Sequence, residues 1–132
     1  MVIDTSALLA ILQDEPERRS FNLAIEADET KLLSAASLVE ASLVTATRYG
    51  SDGVHLLDLF LVKAGISIES VDVNQAYIAR RAFNQYGKGR HPAGLNFGDC
   101  FTYALARFTG EPLLFKGHDF SKTDLDAVPL LD

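Results

Sequence analysis

Four acidic side chains stand at points of the sequence where a metal site could form. Asp4 ends the first short apolar run, and Glu40 and Asp99 fall in the first turns of predicted helices. Asp119 follows the apolar run 113–115. Carboxylate oxygens are the ligands that Mg²⁺ prefers, and carboxylate-bound ions can hydrolyse phosphodiesters. The residue types therefore predict an acidic metal site, with Mg²⁺ as the expected ion and Mn²⁺ as the alternative.

Each of these acids also has a purely structural explanation. Asp4 could only cap a helix, and Glu40 has the spacing of a Ser-x-x-Glu capping box with Ser37. Asp99 could be a first-turn acid that the helix dipole favours, and Asp119 could be a turn residue. From the residues alone, both explanations stay open for all four.

The elements that must position these side chains follow from hydrophobic periodicity and from turn residues. Predicted strands span 2–3, 31–34, 66–71 and 112–115, and a fifth is expected over 128–131. Predicted helices span 5–12, 17–27, 37–49, 53–64, 73–86 and 97–108. The helix over 37–49 is expected to begin at the capping box and to end at Gly50.

The alternation of strands and helices predicts the fold class. It is typical of an α/β domain in which helices cover both faces of a parallel sheet. The sequence shows neither a linker nor an internal repeat, so we expect one domain over residues 1–132. In such sheets ligands bind beyond the carboxyl ends of the strands, where Asp4, Glu40 and Asp119 are expected to lie.

Composition limits the class of protein further. The 132 residues carry a net charge of −6, which argues against broad nucleic-acid binding but suits a metal-holding carboxylate site. The single cysteine, Cys100, cannot form an intrachain disulfide. Because no apolar run is long enough to span a bilayer and no signal peptide is visible, we expect a cytoplasmic protein without membrane association.

Four segments together resemble a known family. VIDTSAL (2–8), SAASLVE (34–40), LNFGDC (95–100) and LLFKGHDF (113–120) are similar in order and spacing to motifs of PIN-domain nucleases. The likeness covers essentially the whole chain, and its length and spacing resemble those of the VapC toxins of toxin–antitoxin pairs. The resemblance implies a three-layer PIN-like fold, with a parallel central sheet of four to five short strands between helices.

The resemblance also implies roles for individual residues. Asp4 and Asp99 match the acids that hold Mg²⁺, and Glu40 matches a third acid that binds the ion through water or positions it. Ser6 matches the small hydroxyl residue beside the first acid. These positions are the expected catalytic centre.

The fourth acid departs from the family pattern. The last motif of the family often carries an acid where this chain has Gly117. Asp119 precedes Phe120 as an acid often does in that motif, so we prefer Asp119 to Asp124 as the fourth catalytic and metal-binding residue. The departure leaves both one-metal and two-metal mechanisms open.

Basic side chains near the predicted site could contact RNA phosphates. Lys88, Arg90 and His91 lie in a glycine-rich loop before Asp99, and Lys116 lies on the other side. Phosphate contacts would position a substrate, whereas the alternative is a solvated loop. A zinc site at the histidines is not expected, because they have neither cysteine partners nor HxxxH spacing.

The resemblance implies a metal-dependent endoribonuclease that is the toxin of a type II toxin–antitoxin pair. Its expected partners are RNA, a cognate antitoxin and a second copy of the chain. The helix over 53–64 is apolar on more than one face, so part of it is expected to be an interface. The alternatives are an RNA-processing PIN nuclease without an antitoxin and a non-catalytic interaction module.

Overall fold

A parallel sheet of four short strands forms the centre of the molecule. The computed structural model describes residues 1–130. The strands are β1 (Val2–Ile3), β2 (Leu32–Ser34), β3 (Ser67–Glu69) and β4 (Leu113–Leu114), in the order β3-β2-β1-β4. All three neighbouring pairs are parallel, which confirms the predicted α/β class with a parallel central sheet.

Helices connect the strands and cover the sheet. They are α1 (Thr5–Leu12), α2 (Arg18–Ala27), α3 (Ala35–Lys63), α4 (Val73–Tyr86) and α5 (Phe97–Thr109), with a 3₁₀ turn, η1, at Phe120–Lys122. Most of these bounds agree with the sequence prediction to within two residues. Every connection between neighbouring parallel strands contains at least one helix, as parallel pairing requires.

Two hydrophobic clusters lie on the two faces of the sheet. Ile3 and Leu114 pack with α1, α2 and α3, whereas their neighbours Val2 and Leu113 pack with α4 and α5. Successive strand residues point to opposite faces, so two consecutive apolar residues are enough to join β1 and β4 to both clusters. The three layers that the sequence predicted are therefore present.

The predicted start of the third helix is wrong. The helix begins at Ala35, because the side chain of Ser34 accepts a hydrogen bond from the Ala36 backbone N–H and caps the helix. Ser37 lies inside the helix and its hydroxyl contacts Thr102, so Ser37 and Glu40 form no capping box. Glu40 consequently lies in the second turn of α3, not in the first.

The two helices predicted over 37–49 and 53–64 are assigned as one long element, α3, with a break at Gly50. Gly50 has φ of 68° and ψ of −158°, a conformation in which only glycine is unstrained. The break separates the part of α3 that carries Glu40 from a second part with exposed apolar side chains.

The strand expected over 128–131 does not form within the described residues. Only Ala127 bridges to Leu113, and the Val128 backbone N–H donates to the Leu113 carbonyl; Leu131 lies outside the described residues. The strand predicted over 66–71 is shorter, at Ser67–Glu69. Across residues 1–130, no helix combines the length and the hydropathy that crossing a membrane would need.

Candidate active site

Asp4 lies at the carboxyl end of β1 and is held from two directions. Its Oδ2 accepts a hydrogen bond from the Ser6 backbone N–H at 3.0 Å, so Asp4 caps α1. Its Oδ1 accepts a hydrogen bond from the Thr102 hydroxyl of α5 at 2.7 Å. The residue is only 4% exposed. The helix-cap explanation is therefore correct, but the cap uses only one acceptor position of a group that has about four.

Asp99 lies in the first turn of α5 and also has a structural role. It forms a capping box with Asn96, in which the Asn96 backbone N–H donates to Asp99 Oδ2 at 3.0 Å. The Asp99 backbone N–H donates to Asn96 Oδ1 at 2.9 Å. The box fixes the side chain at the amino end of α5, where the helix dipole favours a negative charge.

Glu40 approaches the same end of α5 from α3. A methyl group added at Gly98 would overlap the Glu40 carboxylate, so the two residues are in close contact. Gly98 is the residue before Asp99 and lies in the first turn of α5. The missing side chain at position 98 is therefore what lets Glu40 reach the neighbourhood of Asp99.

The electrostatics of Asp99 show that the predicted carboxylates lie near one another. Burial, which is the largest cause, raises the pKa of Asp99 from 3.8 to about 6, against a lowering by the hydrogen bond from Asn96. The value of about 6 already includes smaller raising contributions from the negative charges of Asp4, Asp119 and Glu40. The sheet order explains this grouping, because β2, β1 and β4 are neighbours and their carboxyl ends lead to Glu40, Asp4 and Asp119.

The donor set fits a magnesium-type ion better than a zinc-type ion. Within residues 1–130, no three carboxylate, imidazole or thiol groups converge closely enough to enclose a metal ion. Mg²⁺ rarely needs such a cage, since it keeps several waters and takes one or two carboxylates together with substrate phosphates. An open group of carboxylates whose charges repel one another is a setting that a divalent cation would stabilise.

The two candidates for the fourth acid lie in different surroundings. Asp119 is exposed in the turn before η1, and its charge reaches Asp99. Asp124 accepts a hydrogen bond from the Tyr103 hydroxyl at 2.6 Å and lies 3.4 Å from Arg107 Nη1. These contacts engage Asp124 away from Asp99, which favours Asp119, although the role of Asp119 stays a prediction.

A hydrogen bond between Ser6 and Lys116 connects the two sides of the site. The Ser6 hydroxyl accepts a hydrogen bond from the Lys116 backbone N–H at 2.9 Å, which ties the start of α1 to the segment after β4. The Lys116 side chain pairs with Glu15 and Glu17, the latter at 3.3 Å. As a substrate contact, Lys116 would have to exchange these partners for a phosphate.

The basic loop leads directly into the capping box of Asp99. It is closed at its base by a bridge between Gly87 and Leu95. Lys88 is exposed, whereas the Arg90 guanidinium lies 5.4 Å from the ring centre of Phe83. His91 Nδ1 accepts a hydrogen bond from the Ala93 backbone N–H. Contact between this loop and RNA therefore stays a prediction.

Two residues of the site were not identified from the sequence. Thr102 donates to Asp4 from 98 positions away, and nothing in a single sequence indicates such a pair. Gly98 could have been found, because a glycine inside a predicted helix often marks a close approach of another group.

Comparisons with known proteins give the family. Residues 1–125 match the PIN domain family. The chain is 53% identical over 130 residues to ribonuclease VapC30 of Mycobacterium tuberculosis, and the match covers 98% of this chain and 99% of that protein.

Solved structures have the same fold. The crystal structure of the Mycobacterium tuberculosis toxin VapC20 superposes with a TM-score of 0.77 at 16% identity, over 97% of this chain and 98% of that one. A toxin–antitoxin complex from Klebsiella pneumoniae matches with a TM-score of 0.70 at 18% identity, over 93% of this chain and 92% of that one. Together with the family match and the high identity to VapC30, this likeness confirms the resemblance: the chain belongs to the PIN domain family, within its VapC ribonuclease branch.

Proposed function

We propose that this protein is the endoribonuclease toxin of a type II toxin–antitoxin pair and that it hydrolyses RNA at a carboxylate-bound divalent metal ion. The observation that carries the proposal is the approach of the acids to the amino end of α5. Thr102 of α5 donates to Asp4, and the Glu40 carboxylate contacts Gly98, the residue before Asp99. The charge of Asp119 also acts on Asp99. The 53% identity to a protein named ribonuclease VapC30 supports RNA as the substrate.

Asp4 and Asp99 would hold the ion, with Glu40 and Asp119 adding charge and ligands through water. The expected ion is Mg²⁺, and Mn²⁺ is the alternative. When bound, the ion would supply Lewis-acid activation of the phosphodiester and of the attacking water. Asp4 enters this arrangement already oriented by its two hydrogen bonds, and Asp99 must lose its proton before it can bind the cation.

Substrate RNA would approach along the basic side chains of the loop that precedes Asp99. Lys88 and Arg90 are exposed in the loop that precedes Asp99, and His91 is partly exposed beside them. Because the body of the protein carries a net charge of −6, these few cations and the metal ion would provide most of the attraction for phosphates.

An antitoxin and a second copy of the chain are the proposed protein partners. The part of α3 after Gly50 exposes Leu56, Leu59 and Val62, with Val62 at 79%. A groove of about 300 Å³ lies beside Leu56 and also contacts Leu12 and Tyr49. An apolar antitoxin segment fits this surface, and an Arg or Lys from it could compete with the metal ion for the carboxylates. The toxin–antitoxin complex among the structural neighbours supports the pairing.

The test is cleavage of total cellular RNA by the purified chain, with new 5′ ends mapped by sequencing. We expect defined cleavage sites with Mg²⁺, none after chelation with EDTA, and none for Asp99→Asn. Asp58→Asn is the matched control, since Asp58 is an exposed acid on α3. Full activity in EDTA or in Asp99→Asn would contradict the proposal. Cleavage without a neighbouring reading frame for an antitoxin would favour an RNA-processing nuclease.

A further inference from the structure

A buried chain of three side chains joins α3, α5 and the end of β1. The Ser37 and Thr102 hydroxyl oxygens lie 3.2 Å apart, and Thr102 donates to Asp4 Oδ1 at 2.7 Å. Thr102 is 0% exposed, Ser37 is 2% exposed and Asp4 is 4% exposed. Because all three are buried, water cannot readily replace either hydrogen bond if one partner is removed.

The direction of the chain follows from the chemistry of its end. An ionised carboxylate only accepts hydrogen bonds, so the single hydroxyl proton of Thr102 must go to Asp4. Thr102 then has no proton for Ser37, and Ser37 must be the donor of the other bond. The order is therefore Ser37 to Thr102 to Asp4, and each bond polarises the next one towards the carboxylate.

The Thr102 hydroxyl complements the backbone donor on the other oxygen of Asp4. Ser6 N–H donates to Oδ2 from the start of α1, and Thr102 donates to Oδ1 from α5. Two donors on different elements restrict rotation of the carboxylate, whereas a helix cap alone would fix only one oxygen. Each oxygen keeps a further lone pair for a cation.

We propose that Thr102 is a positioning residue that orients the Asp4 carboxylate for binding of the divalent metal ion, and that Ser37 fixes the rotamer of the Thr102 hydroxyl. This inference rests on the proposed function, because it concerns Asp4 as a metal ligand. Hydrogen-bond partners of metal-binding side chains commonly orient the ligand, and their loss typically costs about 10- to 100-fold in metal affinity.

The experiment is calorimetric titration of Mn²⁺ into the full chain and into three variants at neutral pH. Thr102→Val removes the hydroxyl at nearly constant volume and should weaken Mn²⁺ binding by about 10- to 100-fold. Thr102→Ser keeps the donor and should bind Mn²⁺ nearly as the wild type does. The control is Thr45→Val, since Thr45 is 1% exposed and its hydroxyl donates within α3 to the Ala41 carbonyl.

The control separates orientation of Asp4 from general loss of stability. Thr45→Val also loses a buried hydroxyl, so its melting temperature should fall while its Mn²⁺ affinity stays at the wild-type value. Equal affinities in Thr102→Val and Thr45→Val would overturn the inference, and so would a serine variant as weak as the valine variant. If circular dichroism shows Thr102→Val to be unfolded, Ser37→Ala replaces it; unchanged Mn²⁺ affinity there would also overturn the inference.

The same titration distinguishes this inference from the proposed function. If the wild-type chain binds no Mn²⁺ and cleaves no RNA, the proposed metal site is contradicted, and with it any role for Thr102. A wild-type chain that binds Mn²⁺ and cleaves RNA, beside a Thr102→Val variant that does both equally well, would overturn only the role of Thr102.

Discussion

The two ends of the carboxylate cluster differ in how firmly the fold holds them. Asp4 is 4% exposed and accepts hydrogen bonds from both α1 and α5. Asp119 is exposed at the start of η1, and its side chain makes no capping hydrogen bond there. Burial with two donors orients Asp4 before a ligand arrives, whereas Asp119 must be ordered when the ligand binds. The comparison predicts that the cost of removing a carboxylate decreases from Asp4 to Asp119.

The largest effect is expected for Asp4→Asn. The substitution keeps the shape of the side chain but removes the charge of a proposed metal ligand. Lewis-acid stabilisation is worth several kcal/mol, so RNA cleavage should fall by at least about 10³-fold. Gel assays of a labelled RNA would measure the loss, with Asp58→Asn as control. A variant with more than about a tenth of wild-type activity would contradict the role of Asp4.

The next effect concerns the pH dependence of stability in the metal-free protein. The pKa of Asp99 is about 6 in the native state, and 3.8 is its ordinary value. Between pH 3.8 and 6 the Asp99 carboxyl is therefore protonated in the native state but ionised in the unfolded state. Stability from this proton is complete below about pH 4 and is lost as the pH rises through 6. The loss corresponds to at most about 3 kcal/mol.

Urea unfolding in EDTA at several pH values tests this prediction. The unfolding free energy of the wild type, minus that of Asp99→Asn, should decrease between pH 4 and pH 7. The bond of Asp28 with the amino terminus lowers its pKa, so Asp28 changes stability with pH in the opposite direction to Asp99. The subtraction cancels this contribution of Asp28. A difference that stays constant across this range would show that the native state does not raise the pKa of Asp99.

A smaller effect is expected for Gly98→Ala. The added methyl group would displace the flexible end of Glu40, so cleavage should fall about 10-fold while stability changes by less than about 1 kcal/mol. Adding Gly98→Ala to Glu40→Gln should then cost little more, because both changes act on the same carboxylate. Fully additive losses in this double-mutant cycle would show that Gly98→Ala acts on a group other than the Glu40 carboxylate.

The smallest effect on cleavage separates Asp119 from Asp124. We expect Asp119→Asn to reduce cleavage by less than about 10-fold, since an exposed, loosely held charge contributes little binding free energy. Asp124→Asn should leave cleavage unchanged but lower stability by about 1 kcal/mol, because it weakens the bond from Tyr103. Loss of cleavage in Asp124→Asn with full activity in Asp119→Asn would reverse the assignment.

The sequence predicted the four strands of the sheet and most helices well, because apolar pairs such as Val2–Ile3 and the helical periodicity of 97–108 are local signals. The fifth strand, expected over 128–131, does not form within the described residues. The sequence misplaced the start of α3 at Ser37, because the Ser-x-x-Glu spacing is a local signal, whereas Ser34 caps the helix in the structure. The Ser37 hydroxyl instead contacts Thr102 from 65 residues away, and no local pattern indicates that contact. The acids could be predicted from their positions after strands, but the contacts that orient them depend on tertiary packing.

The central claim is that Asp4 and Asp99 bind one divalent metal ion at the carboxyl end of the sheet. Crystals of the wild-type chain soaked in Mn²⁺ would test it most directly through the anomalous difference map. The account predicts a peak at roughly 2.1 Å from carboxylate oxygens of both residues, and none at this position in Asp4→Asn crystals. A fully soaked wild-type crystal without a peak between Asp4 and Asp99, or with one only elsewhere, would contradict the account.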